Sequence, residues 1–254
     1  MTRLQDKVAL IPGGDGGICH KASEFFCQEG AKVVMVDKDP HVEEKCAAIV
    51  AAGGDAIAIT ADVSIKENWE KILQATLDKY GRVDCVVNGA AEFCYSGDWN
   101  APPDMEEWDR VLNTNLKSML YSYQVVLQYM LDHDIHGNFI NFASSTALSY
   151  MGSGCQAYPM SKAAILISTK DMVTNNAKKG IRFNCIAPNL VQVPKQNHLY
   201  ENEAMAGWFR SIMPSGEWGH PEDCAHCMVW LASDEAKFIS GVCIPVDGGW
   251  STCH

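Results

Sequence analysis

The sequence predicts an α/β fold, a single domain built on a doubly wound parallel sheet of about seven strands with helices on both faces. Three observations carry this. Apolar, β-branched runs recur from one end of the 254-residue chain to the other. Each is followed by a segment of helical spacing. No Pro/Ser-rich linker, charge block, internal repeat or low-complexity tract interrupts the alternation. Strands that alternate with helices pair in parallel, because each return to the sheet needs a crossover. Such strands are buried on both faces and read as continuous rather than alternating apolar runs.

The elements follow in order. Residues 7–11 end in Val8-Ala9-Leu10-Ile11 and make the first strand, with a glycine-rich turn behind it. Residues 32–36, Lys-Val-Val-Met-Val, make the second, and 56–60 the third. Residues 67–79 place Trp69, Ile72, Leu73 and Leu77 on one side of a helix. Strands four to six are predicted at 84–87, 138–142 and 182–186, and a seventh at 242–246. The segment 189–219 is too long for an ordinary connection and reads as a lid over a substrate site. A 47% apolar and 20% charged composition is that of a soluble globular protein. The formal net charge of −11 repels phosphate backbones and argues against nucleic acid. No apolar run reaches the length of a membrane helix, and the first residues lack the pattern of a secretory leader. A cytoplasmic location is expected, with the eleven cysteines as reduced thiols.

The first chemical signal is Gly13-Gly14-Asp15-Gly16-Gly17 after the first strand. Glycines let a backbone turn tightly and approach a pyrophosphate, and the helix from about Ile18 aims its N–H groups at that anion. The second strand ends in Asp37. An acid about twenty residues beyond the turn accepts hydrogen bonds from ribose hydroxyls and repels a 2′-phosphate, which favours NAD over NADP. Lys38 beside it is able to accommodate a phosphate, and Asp37 also reads as a plain turn residue. Cys19 stands where a glycine is expected, and its small size suits close packing of helix on sheet. A reactive thiol at a helix N-terminus is the alternative.

The second signal is Ser144-Ser145, followed by Tyr158-Pro159-Met160-Ser161-Lys162. Tyr158 and Lys162 share a helix face. A nearby ammonium favours the phenolate, and such a pair can pass a proton to or from an alcohol oxygen held by a serine hydroxyl. Taken alone, a Tyr/Lys pair is common on exposed helices.

These motifs together resemble the short-chain dehydrogenase/reductases, a family of chains of about this length. The resemblance runs end to end. It takes in the glycine turn, Asp37, Ala61-Asp62-Val63, Val87-Asn88-Gly89-Ala90-Ala91 and Asn113-Thr114-Asn115-Leu116-Lys117. It continues through the serine with Tyr-x-x-x-Lys to Pro188 and Val246-Asp247-Gly248-Gly249. It implies a Rossmann-type sheet and an NAD-dependent oxidoreductase. Tyr158 is then the general acid/base, and Lys162 lowers its pKa and binds the nicotinamide ribose. A serine orients the substrate oxygen, and Asn115 holds a relay water. Counting thirteen residues back from Tyr158 selects Ser145, whereas alignment from the fifth strand selects Ser144; Ser145 is preferred. Gly13, Asp15, Gly17, Ile18, Asp37, Asp62, Val63, Asn88, Ala90, Pro188 and Val191 are expected around the cofactor, with Tyr158 and Lys162.

Departures from the family pattern are Pro12 for a threonine, Cys19 for a glycine, Gly89 and Ala91 in the element after the fourth strand, Asn189 for a glycine, and Val193 for a threonine. Each lost cofactor hydrogen bond costs about 0.5–1.5 kcal/mol.

Met205, Trp208, Phe209, Ile212 and Met213 form one apolar stripe within the lid segment. With Ser144, Tyr95, Met151 and Cys155 near the same mouth, they predict a hydrophobic secondary alcohol or its ketone. A steroid or bile-acid alcohol fits, as for a hydroxysteroid dehydrogenase, and so does another alicyclic, terpenoid or aromatic ketone. Cys224-Ala225-His226-Cys227 lacks a second Cys pair and reads as core rather than a metal site. A cofactor-binding regulatory protein without turnover, and an epimerase or C=C reductase on the same fold, are the competing readings. The apolar end of the chain, 241–254, and the family's habit predict a homotetramer.

Overall fold

A computed structural model describes residues 2–94, 102, 104–149 and 156–253. The strands are β1 (Val8–Pro12), β2 (Lys32–Asp37), β3 (Asp55–Thr60), β4 (Cys85–Asn88), β5 (Asn138–Phe142), β6 (Arg182–Pro188) and β7 (Cys243–Val246). They form one parallel sheet in the order β3-β2-β1-β4-β5-β6-β7. All seven predicted strands are present, each within two residues of the expected bounds. β1 and β5 are buried at every position, as strands in the middle of a covered sheet are; β1 is apolar throughout, and β5 also buries Asn138 and Asn141.

The helices are α1 (Gly17–Gln28), α2 (His41–Ala51), α3 (Lys66–Tyr80), α4 (Met105–Leu112), α5 (Ser118–Ser122), α6 (Gln128–Asp132), α7 (Ala157–Asn176), α8 (Asn197–Tyr200), α9 (Glu203–Ile212), α10 (Pro221–Ala232) and α11 (Trp250–Cys253). Alternate strand residues feed two cores. Ala9, Ile11, Val33 and Met35 meet Phe26 of α1, Ile49 of α2 and Met228 of α10. Leu10, Val34 and Val36 meet Trp69 and Ile72 of α3, Met119 of α5 and Ile165 of α7 on the other face. The period of two along each strand thus clothes both faces.

Two π turns, Asn113–Lys117 and Tyr123–Leu127, join α4, α5 and α6. The chain order reverses between β1 and β4, so their carboxyl ends open a crevice at the topological switch point.

Nine of the described cysteines are free thiols, and Cys94 is disulfide-bonded, so the expectation of thiols alone fails there. Cys224 is buried in the core, and His226 packs on the Phe25 ring at 4.7 Å. No cluster of three or more His, Cys, Asp or Glu side chains able to hold a metal occurs among the described residues. No helix among them is long and apolar enough to cross a membrane.

Candidate active site

The crevice is a cleft of about 650 Å³ running from the end of β2, past β1 and β4, to the N-terminus of α7. Its floor is the glycine turn. Gly13 has φ +82°, and a Cβ there would lie 2.8 Å from the Gly89 carbonyl carbon. Only glycine fits this left-handed, closely approached position, so the open cradle of a dinucleotide site is present. Gly89 sits just as tightly. A Cβ on it would come within 2.2 Å of the Cys19 sulfur and 3.1 Å of the Pro12 carbonyl oxygen. Cys19 therefore occupies the volume that a side chain at 89 would need, and the two departures from the family pattern fit one another. Burial pushes the Cys19 thiol up to about 12, which removes the reactive-thiolate reading.

At the far end, Asp37 accepts the Asp15 N–H (3.1 Å) and the Asp39 N–H (3.1 Å), which fixes its carboxylate at the strand end. Asp15 turns away to bond His41 Nδ1 at 2.7 Å and Lys45 Nζ at 2.9 Å. Burial raises the Asp15 pKa, but the hydrogen bonds from Lys45 and His41 outweigh it and hold the carboxyl below its ordinary value. Lys38 is paired with Glu92, which also binds Arg110. Lys38, His41 and Lys45 thus each already have an acid.

The catalytic end is assembled by β5, the turn after it, and α7. Lys162 is buried, with Nζ donating to the Phe142 carbonyl (2.8 Å) and lying 5.6 Å from the Tyr158 ring centre. Burial pushes its ammonium down to about 8. Phe93 stacks on the Tyr158 ring, centroids 4.7 Å apart and planes 23° apart. Ser144 and Ser145 differ in their tasks. Ser144 Oγ caps the short 3₁₀ turn Ser145–Ala147, accepting from Thr146 N (3.2 Å) and Thr146 Oγ1 (3.0 Å). Ser145 Oγ donates to Asn189 Oδ1 at 2.8 Å.

Of the residues singled out in the sequence, Gly13, Asp15, Gly17, Ile18, Asp37, Asp62, Val63, Ala90, Ser144, Ser145, Tyr158, Lys162, Pro188 and Val191 line this one cleft. Asn88 does not. Its amide turns into the sheet and donates to Asn141 Oδ1 (2.9 Å), because buried side-chain amides on neighbouring strands satisfy each other. Asn115 does not line it either. Its side chain accepts from Glu92 N (2.7 Å) and donates to Glu92 O (3.0 Å) and Ser161 Oγ (3.0 Å), clamping the loop after β4 onto α7.

The lid stripe also needs correction. Met205 and Trp208 are exposed, Trp208 by 53%, and neither they nor Phe209 line the cleft. Phe209 instead packs on Trp218 (5.3 Å), which meets Tyr200 (5.9 Å). Tyr95 and Cys155, with Met151, lie outside the described residues. Sequence reasoning missed Phe93, Glu92 and Trp218 altogether and saw Asn189 only as a departure. Nothing local marks them, since each acts through a partner distant in the chain.

A parallel sheet with a glycine cradle at its switch point, and a Tyr/Lys pair beside a buried serine, define a nucleotide-dependent oxidoreductase. The comparisons make the class specific. Residues 14–251 match a family model described as enoyl-(acyl carrier protein) reductase. The chain is 31% identical over 252 residues to the (2S)-[(R)-hydroxy(phenyl)methyl]succinyl-CoA dehydrogenase subunit BbsD of Thauera aromatica, covering 98% of each chain. It is equally 31% identical, over 251 residues and 98% of each chain, to the 2,5-dichloro-2,5-cyclohexadiene-1,4-diol dehydrogenase LinX of Sphingobium indicum. A solved NAD(P)-dependent gluconate 5-dehydrogenase from Beutenbergia cavernae, described as putative and with bound NADP, superposes with a TM-score of 0.90 at 27% identity, covering 99% of both chains. The chain belongs to the short-chain dehydrogenase/reductase family and is an oxidoreductase of alcohol- and ketone-type substrates.

Proposed function

We propose that the protein interconverts a hydrophobic secondary alcohol and its ketone, with NAD as the preferred cofactor and Tyr158 as the general acid/base. The observation that carries this reading is the convergence of Ser145, Tyr158 and Lys162 on the cleft that the glycine turn and Asp37 also line. The nicotinamide, when bound, supplies hydride exchange. The chain's own residues do the rest. The turn at Gly13 and Gly17 and the N–H groups from Ile18 hold the pyrophosphate. Asp37 accepts ribose hydroxyls, while Asp62, Val63, Ala90, Pro188 and Val191 wall the cleft. Tyr158 takes or returns the proton at its phenolic oxygen, Lys162 favours the phenolate, and Ser145 fixes the substrate oxygen. Asn115 spends its side chain on Glu92 and Ser161, so its part is to hold the loop after β4 against α7 beside Tyr158.

The preference for NAD is supported by Asp37 and by the pairing of Lys38, His41 and Lys45 with acids, which leaves none of them free for a 2′-phosphate. The bound NADP of the gluconate dehydrogenase keeps NADP as the second reading. An alicyclic or aromatic substrate, steroid- or bile-acid-like compounds included, is favoured by the Phe93 ring stacked beside Tyr158 and by the cyclic alcohol in the name of LinX. The description of the matching family model favours C=C reduction as the alternative chemistry. We place the enzyme in the cytoplasm as a homotetramer with the segment 189–219 as its lid.

The test is an absorbance screen of hydrophobic secondary alcohols with NAD, with product analysis. Ketone formation is expected, abolished or cut about 10²–10⁴-fold in Tyr158→Phe with NAD binding kept. NAD binding without turnover on any alcohol or ketone would replace the enzyme with a regulatory binding protein. A saturated product from an enone would move the assignment to C=C reduction.

A further inference from the structure

We propose that Asn189 is a positioning residue that orients the catalytic serine and ties it to the end of the lid helix; the inference rests on the role of Ser145 proposed above. Asn189 follows β6 directly, and its N–H bonds to the Val246 carbonyl (3.3 Å), so its backbone is fixed by β7. Its side chain reaches two ways. Oδ1 accepts from Ser145 Oγ at 2.8 Å, and Nδ2 points at Met213 Sδ, 3.2 Å away. Ser145 and Met213 are both buried, and Met213 terminates α9 with its N–H on the Phe209 carbonyl (3.0 Å).

The chemistry of the two contacts decides which way the amide faces. A thioether sulfur accepts and never donates, so the amide nitrogen belongs on the Met213 side. The carbonyl oxygen then faces Ser145, and the serine must give it the hydroxyl proton. Ser145 is thereby held in one rotamer with its lone pairs free for the cleft. To donate to a ketone oxygen it must release Asn189. A shift of α9 that withdraws Met213 loosens the amide and with it the serine. A glycine, the usual family residue here, makes neither contact.

The experiment is a double-mutant cycle between Asn189→Ala and Ser145→Ala, read in two ways. The first readout is turnover of the best alcohol from the screen, with melting temperature and NADH-binding fluorescence as controls. Asn189→Ala is expected to raise kcat by up to about tenfold, the scale of the one hydrogen bond that the serine no longer has to break. The KM for NAD should stay unchanged, and Asn189→Ala should bring no change in the Ser145→Ala background. The second needs no substrate: the ¹³C-methyl resonance of Met213, assigned with Met213→Leu. Ser145→Ala should move this signal in the wild-type background and leave it in place once Asn189 is alanine. A fall in kcat in Asn189→Ala, effects that multiply in the cycle, or a Met213 signal indifferent to Ser145→Ala would overturn the proposal. If no alcohol or ketone is turned over, the functional reading fails, and the methyl cycle alone still decides whether Asn189 couples the serine to the lid.

Discussion

Cys19 and Gly89 show how a departure from a family pattern is absorbed at the scale of single residues. Neither is explained by its own neighbours in sequence, and each occupies the space the other leaves. Gly89→Ala should therefore destabilise the fold by about 1–3 kcal/mol, the usual cost of overpacking, and weaken NAD binding. Adding Cys19→Gly should recover most of both losses, as judged by denaturant melts and cofactor titration. Losses as large in the double variant as in Gly89→Ala would refute the pairing. Lys162 carries a different signature. Its folded pKa is pushed down to about 8, below the ordinary lysine value near 10.4. The unfolded chain thus binds more protons between these values, and this group's contribution to stability rises with pH across that window. The cofactor-free melting temperature of the wild type, relative to Lys162→Met, should climb from pH 8 to 10. A constant difference would mean that the ammonium is not desolvated.

The contacts made by whole elements explain how the cleft keeps its shape. The glycine turn is latched to α2 by Asp15 through His41 and Lys45. The Asp15 carboxyl is held below its ordinary pKa, so the latch is fully formed above the usual carboxylate range and is lost as pH falls through the lowered value. Asp15→Asn should melt earlier than the wild type at neutral pH, with the gap closing in acid. An undiminished gap in acid would show that the carboxylate charge is irrelevant. The loop after β4 is clamped to α7 by Asn115 from a π turn, where the extra residue redirects the side chain. Helix α9 is held by Phe209 on Trp218 rather than by its full apolar stripe. If α9 is the lid proposed above, Trp218→Ala should loosen it, raising the substrate KM more than it lowers kcat. A kcat loss with unchanged KM would assign Trp218 to the chemistry instead.

At the scale of the molecule, the reversal of strand order between β1 and β4 creates the crevice, and the sheet gathers residues from 13 to 196 around it. Asp37→Ala should narrow the discrimination against NADP in initial-rate assays at equal cofactor concentrations. A wild type that turns over NADPH faster than NADH would reverse the assignment. Light scattering at micromolar concentration should report a tetramer, and a monomer would refute the assembly.

The strands were legible in the sequence because strands covered on both faces are rich in apolar and β-branched residues, and that pattern is local, even where β5 and β6 bury asparagines. The glycine turn, Asp37 and the Tyr158/Lys162 pair were legible for the same reason: each is a short-range requirement of backbone conformation or helix spacing. The stripe on α9 was seen, but its partner was not. Periodicity says which residues share a face, and only packing says what covers it; here Met205 and Trp208 are left outside. Spacing offered both Ser144 and Ser145, and the fold separated them by giving Ser144 to a cap and Ser145 to Asn189. Asn88 was drawn from the cleft by Asn141, a partner 53 residues away. What the tertiary structure alone decided was thus the pairing of hydrogen-bonding groups across long stretches of chain, because a buried polar group takes whichever partner the fold brings within reach.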